Sequence, residues 1–265
     1  MCNIAGYLGD KPAAPILLEM LRRQQYFDGD MCTGIALMHE GKLTCRKVVG
    51  DVDALIRETD VLSLPGTVGI AHTRPSRALV PPHPHLSPDG RVATVTNGTT
   101  PRSKYWPRWD EAVDLLDRNG YDLEETENPD GKSPKLSRNG GFVGTGLARN
   151  YLLDYYVKQG KTPAQALALT CWHMFNENVT VMLTEHAPDA VFVLRSTRPM
   201  TAVTRGGETY LATTRFGLPD GLGEEAFDLP LHRACTATRQ GVTVTAERMD
   251  TEPVSEMTPY TLSAF

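Results

Sequence analysis

Residues 1–10 read MCNIAGYLGD, and the meaning of Cys2 decides the fold. In one reading Cys2 is a small apolar side chain opening a buried strand, a common place for a free cysteine. In the other, removal of Met1 leaves a thiol and a free α-amine on one residue. Their reference pKa values are about 8.5 and roughly 7.7–8.0, so the amine can take the thiol proton near neutral pH without a histidine. The rest of the chain has to separate these readings.

Around that stretch stand 265 residues, 40% hydrophobic and 22% charged, which suits a globular protein with a substantial core. Lys and Arg number 27 against 32 Asp and Glu, a formal charge of −5, and no basic block is present to track phosphates. Nucleic acid is therefore not an expected partner. The N-terminus has no basic stretch followed by an apolar run, and no apolar segment approaches the roughly 18 residues of a membrane span. No membrane partner and a cytoplasmic location follow as expectations. The cysteines Cys2, Cys32, Cys45, Cys171 and Cys235 are scattered without a C-x-x-C, against a disulfide framework or zinc site. His83-Pro84-His85 invites a metal reading, yet no third ligand is spaced to join it, so neither metal nor cofactor is expected.

Outward from Cys2, the residues Ile4, Ala5, Tyr7 and Leu8 predict a short strand, and a helix follows from Pro15 with Leu17, Met20 and Leu21 on one face. TGIALMHEGKLTCRKVVG, residues 33–50, predicts a hairpin turning at Glu40-Gly41, where Gly41 supplies the positive φ. TVGIAHTR (67–74) and RVATVTNG (91–98) predict two more strands separated by a proline-rich loop. Trp109, Ala112, Val113 and Leu116 share a helical face that Gly120 closes, and Leu147, Tyr151 and Tyr155 repeat the pattern. Thr162-Pro163 caps a third helix of this region, after which VTVMLTE, DAVFVLRS, MTAVTRGG, ETYLATT and GVTVTAERMD predict strands. Strands, helices, then strands without βαβ alternation indicate an α+β protein on antiparallel sheets. Residues 126–141 are rich in turn formers and are expected to be a mobile loop within a single domain spanning 1–265.

An amide-cleaving thiol needs donors for the charge that develops on the carbonyl oxygen. Asn97-Gly98 offers a side-chain amide next to a glycine N–H, although an Asn-Gly turn is the plain alternative. Arg74, ending an apolar strand, could clamp a substrate carboxylate through two parallel N–H bonds, or be a surface charge.

Taken together, MCNIAGYLG, GIAHTRPS and HPHLSPDGRVATVTNG resemble the glutaminase domain of class II glutamine amidotransferases, which are N-terminal-nucleophile hydrolases. LRRQQYFDGDMCTGIAL, VVGDVDAL and ETYLATT fall in the family's order, and the resemblance covers roughly residues 2–215. It implies a four-layer αββα sandwich of two antiparallel sheets. Carried over, Cys2 is the nucleophile and its α-amine the base, Asn97 and the Gly98 N–H are the oxyanion hole, and Arg74 anchors the glutamine α-carboxylate. The implied substrate is glutamine or a γ-glutamyl amide. Because the chain stops at Phe265, ammonia would pass to a separate synthase subunit, or the amide would simply be hydrolysed. The sequence departs from the family at Pro75, Ser76 and Arg77, at Thr96 in place of a histidine, and at Gly144, where the acid holding the substrate ammonium is expected. Asp130 could substitute for that acid. Hydrolysis of another γ-glutamyl amide, or a non-catalytic descendant binding an amino acid or a regulatory partner, are the alternatives these departures leave.

Overall fold

The computed structural model describes residues 2–25, 31–75, 82–98, 106–123, 145–175 and 178–249. The loop expected at 126–141, with Asp130, and the position of Gly144 lie outside the described residues. In chain order the elements begin β1 (Asn3–Leu8), α1 (Ala13–Gln24), β2 (Cys32–His39), β3 (Lys42–Val48), α2 (Val52–Glu58) and β4 (Val68–Arg74). Next come β5 (His85–Leu86), β6 (Val92–Gly98), α3 (Trp106–Arg118), α4 (Thr145–Lys158) and α5 (Pro163–His173). The order closes with β7 (Asn178–Thr184), β8 (Val191–Arg195), β9 (Thr201–Arg205), β10 (Glu208–Ala212), β11 (Phe227–Asp228), β12 (Arg233–Thr238) and β13 (Gly241–Arg248).

β1 is buried along its whole length because it runs through the middle of a seven-stranded sheet ordered β11-β9-β10-β1-β4-β2-β3. A six-stranded sheet, β13-β12-β8-β7-β6-β5, faces it. Within both sheets the strand pairings are antiparallel.

Period-two alternation sorts the strand residues into two layers. Ile4, Leu8, Val68 and Ile70 meet Ala93, Val95, Val181 and Val193 between the sheets. The intervening Ala5, Tyr7, Ile35, Leu37 and Ala71 turn the other way, onto Leu17, Leu18 and Leu21 of α1. On the far side, Val92, Met182, Phe192 and Leu194 pack against Leu153, Leu167 and Cys171 of α4 and α5, and α3 lies over α4 through Trp109 and Leu116. Each fully buried aliphatic side chain of this kind contributes roughly 1.5–3 kcal/mol. The layers are helix, sheet, sheet, helix, as the resemblance implied.

Local chemistry explains most boundaries. Glu40 and Gly41 both have positive φ, 48° and 74°, so the β2–β3 hairpin uses a two-residue turn whose twist matches its strands. Thr162 accepts from the Gln165 N–H while the Gln165 side chain accepts from the Thr162 N–H, a reciprocal cap that starts α5. α1 begins at Ala13, two residues ahead of the expected Pro15, because a proline within the first turn forfeits no helical hydrogen bond.

Three expectations needed correction. The face of α4 is wider than Leu147, Tyr151 and Tyr155: these pack with Trp109 and Leu116, the tyrosines partly buried, while Ala148, Asn150, Leu152, Leu153 and Asp154 are enclosed as well. β12, which the sequence reading passed over, pairs with β8 and β13. The proline-rich loop contains the short strand β5, which pairs with β6. Among the described residues, no helix is long and apolar enough to cross a membrane.

Candidate active site

Cys2 stands immediately before β1, partly exposed, and strand alternation places it on the same side as Ile4, toward the gap between the sheets. The backbone behind it is held tightly. Asn3 Nδ2 donates to the Gln24 carbonyl at 3.1 Å and to Thr73 Oγ1 at 3.4 Å, and the Ile4 N–H donates to Thr213 Oγ1 at 2.8 Å. Gln24 is fully buried and spans the end of α1, donating to the Ile4 carbonyl at 3.2 Å and accepting from the Thr214 N–H at 3.1 Å.

Arg74 is the last residue of β4 and sits opposite Cys32 in β2. Because Asn3 pairs with Thr73, the start of β1 and the end of β4 lie side by side. Arg74 shares the inward parity of Val68 and Ile70 and is only 8% exposed, so its reading as a strand-end surface charge fails.

Asn97 and Gly98 end β6, paired with Val179 and Asn178 of β7, so this Asn-Gly is strand rather than turn. Asn97 has the inward parity of Ala93 and Val95 and is 3% exposed. Its side-chain Nδ2 is buried without a hydrogen-bond partner among the described residues. A buried unpaired amide donor costs about 1–3 kcal/mol, which makes it a place to look for a missing acceptor.

His72, from β4, links the two sheets at this end: its Nε2 lies 3.2 Å from the Thr96 carbonyl. Its ring stacks on His83 at 4.3 Å, and His83 meets His85 edge-on at 4.4 Å. All three rings are held neutral. Burial, then the charge of Arg74, pushes His72 down to about 3, opposed in part by the Thr96 carbonyl. Burial first, then Lys47 and His72, likewise pushes His85 down to about 3, and burial with the neighbouring rings holds His83 well below the usual imidazole range. Although His72 supplies the third imidazole that the sequence lacked beside His83 and His85, no cluster of His, Cys, Asp or Glu among the described residues could hold a metal ion.

Cys2 and Arg74 thus flank the paired Asn3 and Thr73, and His72, two residues before Arg74, reaches the carbonyl of Thr96, which precedes Asn97 and Gly98 in the facing sheet. No family model matches the chain. In solved structures the same architecture occurs in the glutamine phosphoribosylpyrophosphate amidotransferase of B. subtilis, with a TM-score of 0.70 at 15% identity over 95% of this chain and 50% of that one. A glutamine aminotransferase class-II domain protein from Silicibacter pomeroyi matches with a TM-score of 0.57 at 9% identity, over 94% of this chain and 100% of that one. At these identities the likeness concerns the fold alone. In sequence, the chain is 30% identical over 218 residues to the glutamine–fructose-6-phosphate aminotransferase (isomerizing) of Caldanaerobacter subterraneus subsp. tengcongensis, covering 80% of this chain and 31% of that protein.

In sequence and in fold the chain is similar to class II glutamine amidotransferases.

A second relative, the protein of the same name from Pyrococcus horikoshii, is 38% identical over 102 residues, 37% of this chain and 17% of that one. The chain thus spans about a third or less of the length of these curated relatives. Reading the sequence missed Gln24, whose role depends on contacts with Ile4 and Thr214 far along the chain, and His72, whose GIAHTR context was noted without a task for the imidazole. The only local hint at Gln24 was a polar residue continuing the buried face of an amphipathic helix.

Proposed function

We propose that this chain is a class II glutamine amidotransferase domain that hydrolyses the side-chain amide of glutamine through a Cys2 thioester and releases ammonia. The observation that carries the reading is the placing of the Cys2 start of β1 beside the end of β4 at Arg74, with the buried Nδ2 of Asn97, which has no hydrogen-bond partner among the described residues, in the facing sheet.

With Met1 removed, the α-amine of Cys2 takes the thiol proton. The thiolate attacks the amide carbon, forming a C–S bond and placing negative charge on the carbonyl oxygen. Asn97 Nδ2 and the Gly98 N–H donate to that oxygen, stabilising the tetrahedral state more than the planar ground state. Collapse of the intermediate breaks the C–N bond, and the α-ammonium returns its proton to the departing ammonia. Water then attacks the thioester, the α-amine accepting its proton, and glutamate leaves as the thiol re-forms. Arg74 anchors the α-carboxylate with two parallel N–H bonds. The ammonia passes to a synthase domain or subunit, and the setting is cytoplasmic, in keeping with five cysteines that form no disulfide.

Intact mass of protein purified from cells, together with ammonia release by wild type and Cys2→Ala, tests this. Loss of the Met1 mass and abolished release in a variant of unchanged melting temperature are expected. Unchanged turnover in Cys2→Ala would remove the mechanism.

A further inference from the structure

We propose that His72 and His83 are positioning residues for Asn97, holding the carbonyl and the N–H of Thr96 so that the Asn97 amide is aimed at the developing oxyanion; this rests on the Cys2 reading above.

β6 is paired with β5 only at Thr94 and Ala93, opposite His85 and Leu86. Two residues further along the same register, His83 stands opposite Thr96, and there a side chain replaces the strand: the Thr96 N–H donates to His83 Nδ1 at 3.0 Å. The carbonyl of the same residue lies 3.2 Å from His72 Nε2, and since a carbonyl only accepts, that nitrogen is the donor. Both tautomers are thereby assigned: His83 carries its proton on Nε2, leaving Nδ1 as acceptor, and His72 carries its own on Nε2. The carbonyl held by His72 belongs to the peptide unit that leads into Asn97. Rotating that unit would swing the Asn97 side chain.

The clamp is itself anchored from the seven-stranded sheet and from α4. A Cβ on Gly34 of β2 would stand 2.1 Å from the His83 carbonyl oxygen, so only glycine lets this segment lie against the strand. Lys47 Nζ donates to the Pro84 carbonyl at 3.3 Å, and Asn150 Nδ2 of α4 donates to the His85 carbonyl at 3.1 Å. His83 stacks on His72 at 4.3 Å, so the two rings move together. A buried donor left unpaired, as Asn97 Nδ2 is among the described residues, has no bond of its own to hold its direction. Its backbone must supply that direction.

Amide substitutions separate aim from bulk. Asparagine places a side-chain oxygen near the imidazole Nδ1 position and glutamine a side-chain N–H near Nε2. His83→Asn and His72→Gln should therefore keep kcat for ammonia release from L-glutamine within about threefold of wild type. His83→Gln and His72→Asn, of similar size and polarity, should lower it about 10- to 100-fold with little change in KM. In an Asn97→Ala background the same two substitutions should cost no further activity, because groups acting through one residue are not additive. Equal losses across all four variants that follow their melting temperatures, or losses that multiply with Asn97→Ala, would overturn the clamp. Activity surviving Cys2→Ala would instead sink the nucleophile reading. To tell that failure apart, amide hydrogen exchange of Thr96 is read in the Cys2→Ala protein: faster exchange in His83→Gln but not in His83→Asn is expected, and no difference would reject the hydrogen bond itself.

Discussion

Asn3 Nδ2 donates to the backbone carbonyl of Gln24 at 3.1 Å, tying the residue behind Cys2 to the last turn of α1. Gln24 returns the favour through its own side chain, donating to the Ile4 and Met20 carbonyls at 3.2 Å and accepting from the Thr214 N–H and hydroxyl at 3.1 and 3.3 Å. Gln24→Met keeps the length of the side chain and removes these bonds: the Ile4 carbonyl keeps the Thr213 N–H at 3.1 Å, whereas the Thr214 N–H loses its acceptor, worth about 1–3 kcal/mol. A loss of roughly 2–4 kcal/mol in denaturant unfolding is expected, together with a lower kcat because the start of β1 is no longer fixed. Unchanged stability would show that Gln24 merely fills space.

Asn97→Ala should separate activity from stability. Loss of one oxyanion donor typically costs about 10²–10³ in kcat, with little change in KM. Because Nδ2 has no partner among the described residues, the melting temperature should not fall along with kcat. Steady-state kinetics and thermal unfolding on the same preparations check both halves; a rise in KM alone would make Asn97 a binding residue.

Arg74→Lys should hurt every substrate that carries a free α-carboxylate, because an ammonium cannot reproduce the bidentate fork. A decrease of about 10- to 100-fold in kcat/KM for L-glutamine is expected, from the roughly 1.5–3 kcal/mol of a charge-assisted bond. A carboxylate-blocked glutamine should react poorly with wild type and be no worse with the variant. If wild type also prefers an unblocked α-amine, Asp130 is the first acid to mutate; indifference to both blocked groups would end the Arg74 assignment.

The neutral histidines make a pH prediction of definite sign. His72 and His85 are pushed down to about 3 and His83 well below the ordinary range, all by burial first. Unfolded, each titrates near 6.5, so as pH falls the unfolded chain binds protons that the folded one refuses. Stability is therefore greatest above pH 6.5 and is lost on acidification, by up to roughly 4 kcal/mol per pH unit for three such groups. His173 and His232, also lowered by burial, act in the same direction. Between pH 6.5 and 5 the carboxylates contribute little, so unfolding free energies in that window read the histidines. His85→Asn should reduce the slope by about one proton; an unchanged slope would mean that His85 is charged in the folded protein.

Much of the architecture is legible in local chemistry. The apolar run of β1, the Glu40-Gly41 turn and the Thr162 cap each depend on neighbours in sequence, and each lies where its residues indicate. Arg74 and Asn97 stand out as polar ends on apolar strands, and the order of the motifs carried the family. β12 was not legible, because RACTAT becomes a strand only through pairing with β8 on one side and β13 on the other. Nor was the full buried side of α4, since Asn150 is tolerated in the interior because it reaches the His85 and Val92 carbonyls at 3.1 Å. The sequence by itself determined which residues bear the chemistry and, through the two-residue period, which side of its strand each one occupies. Only the tertiary structure decided that the start of β1 lies beside the end of β4, and that His72 and His83 reach the backbone of Thr96 next to Asn97. A strand's period says which way a side chain points, whereas the strand it faces is set by long-range pairing of two sheets.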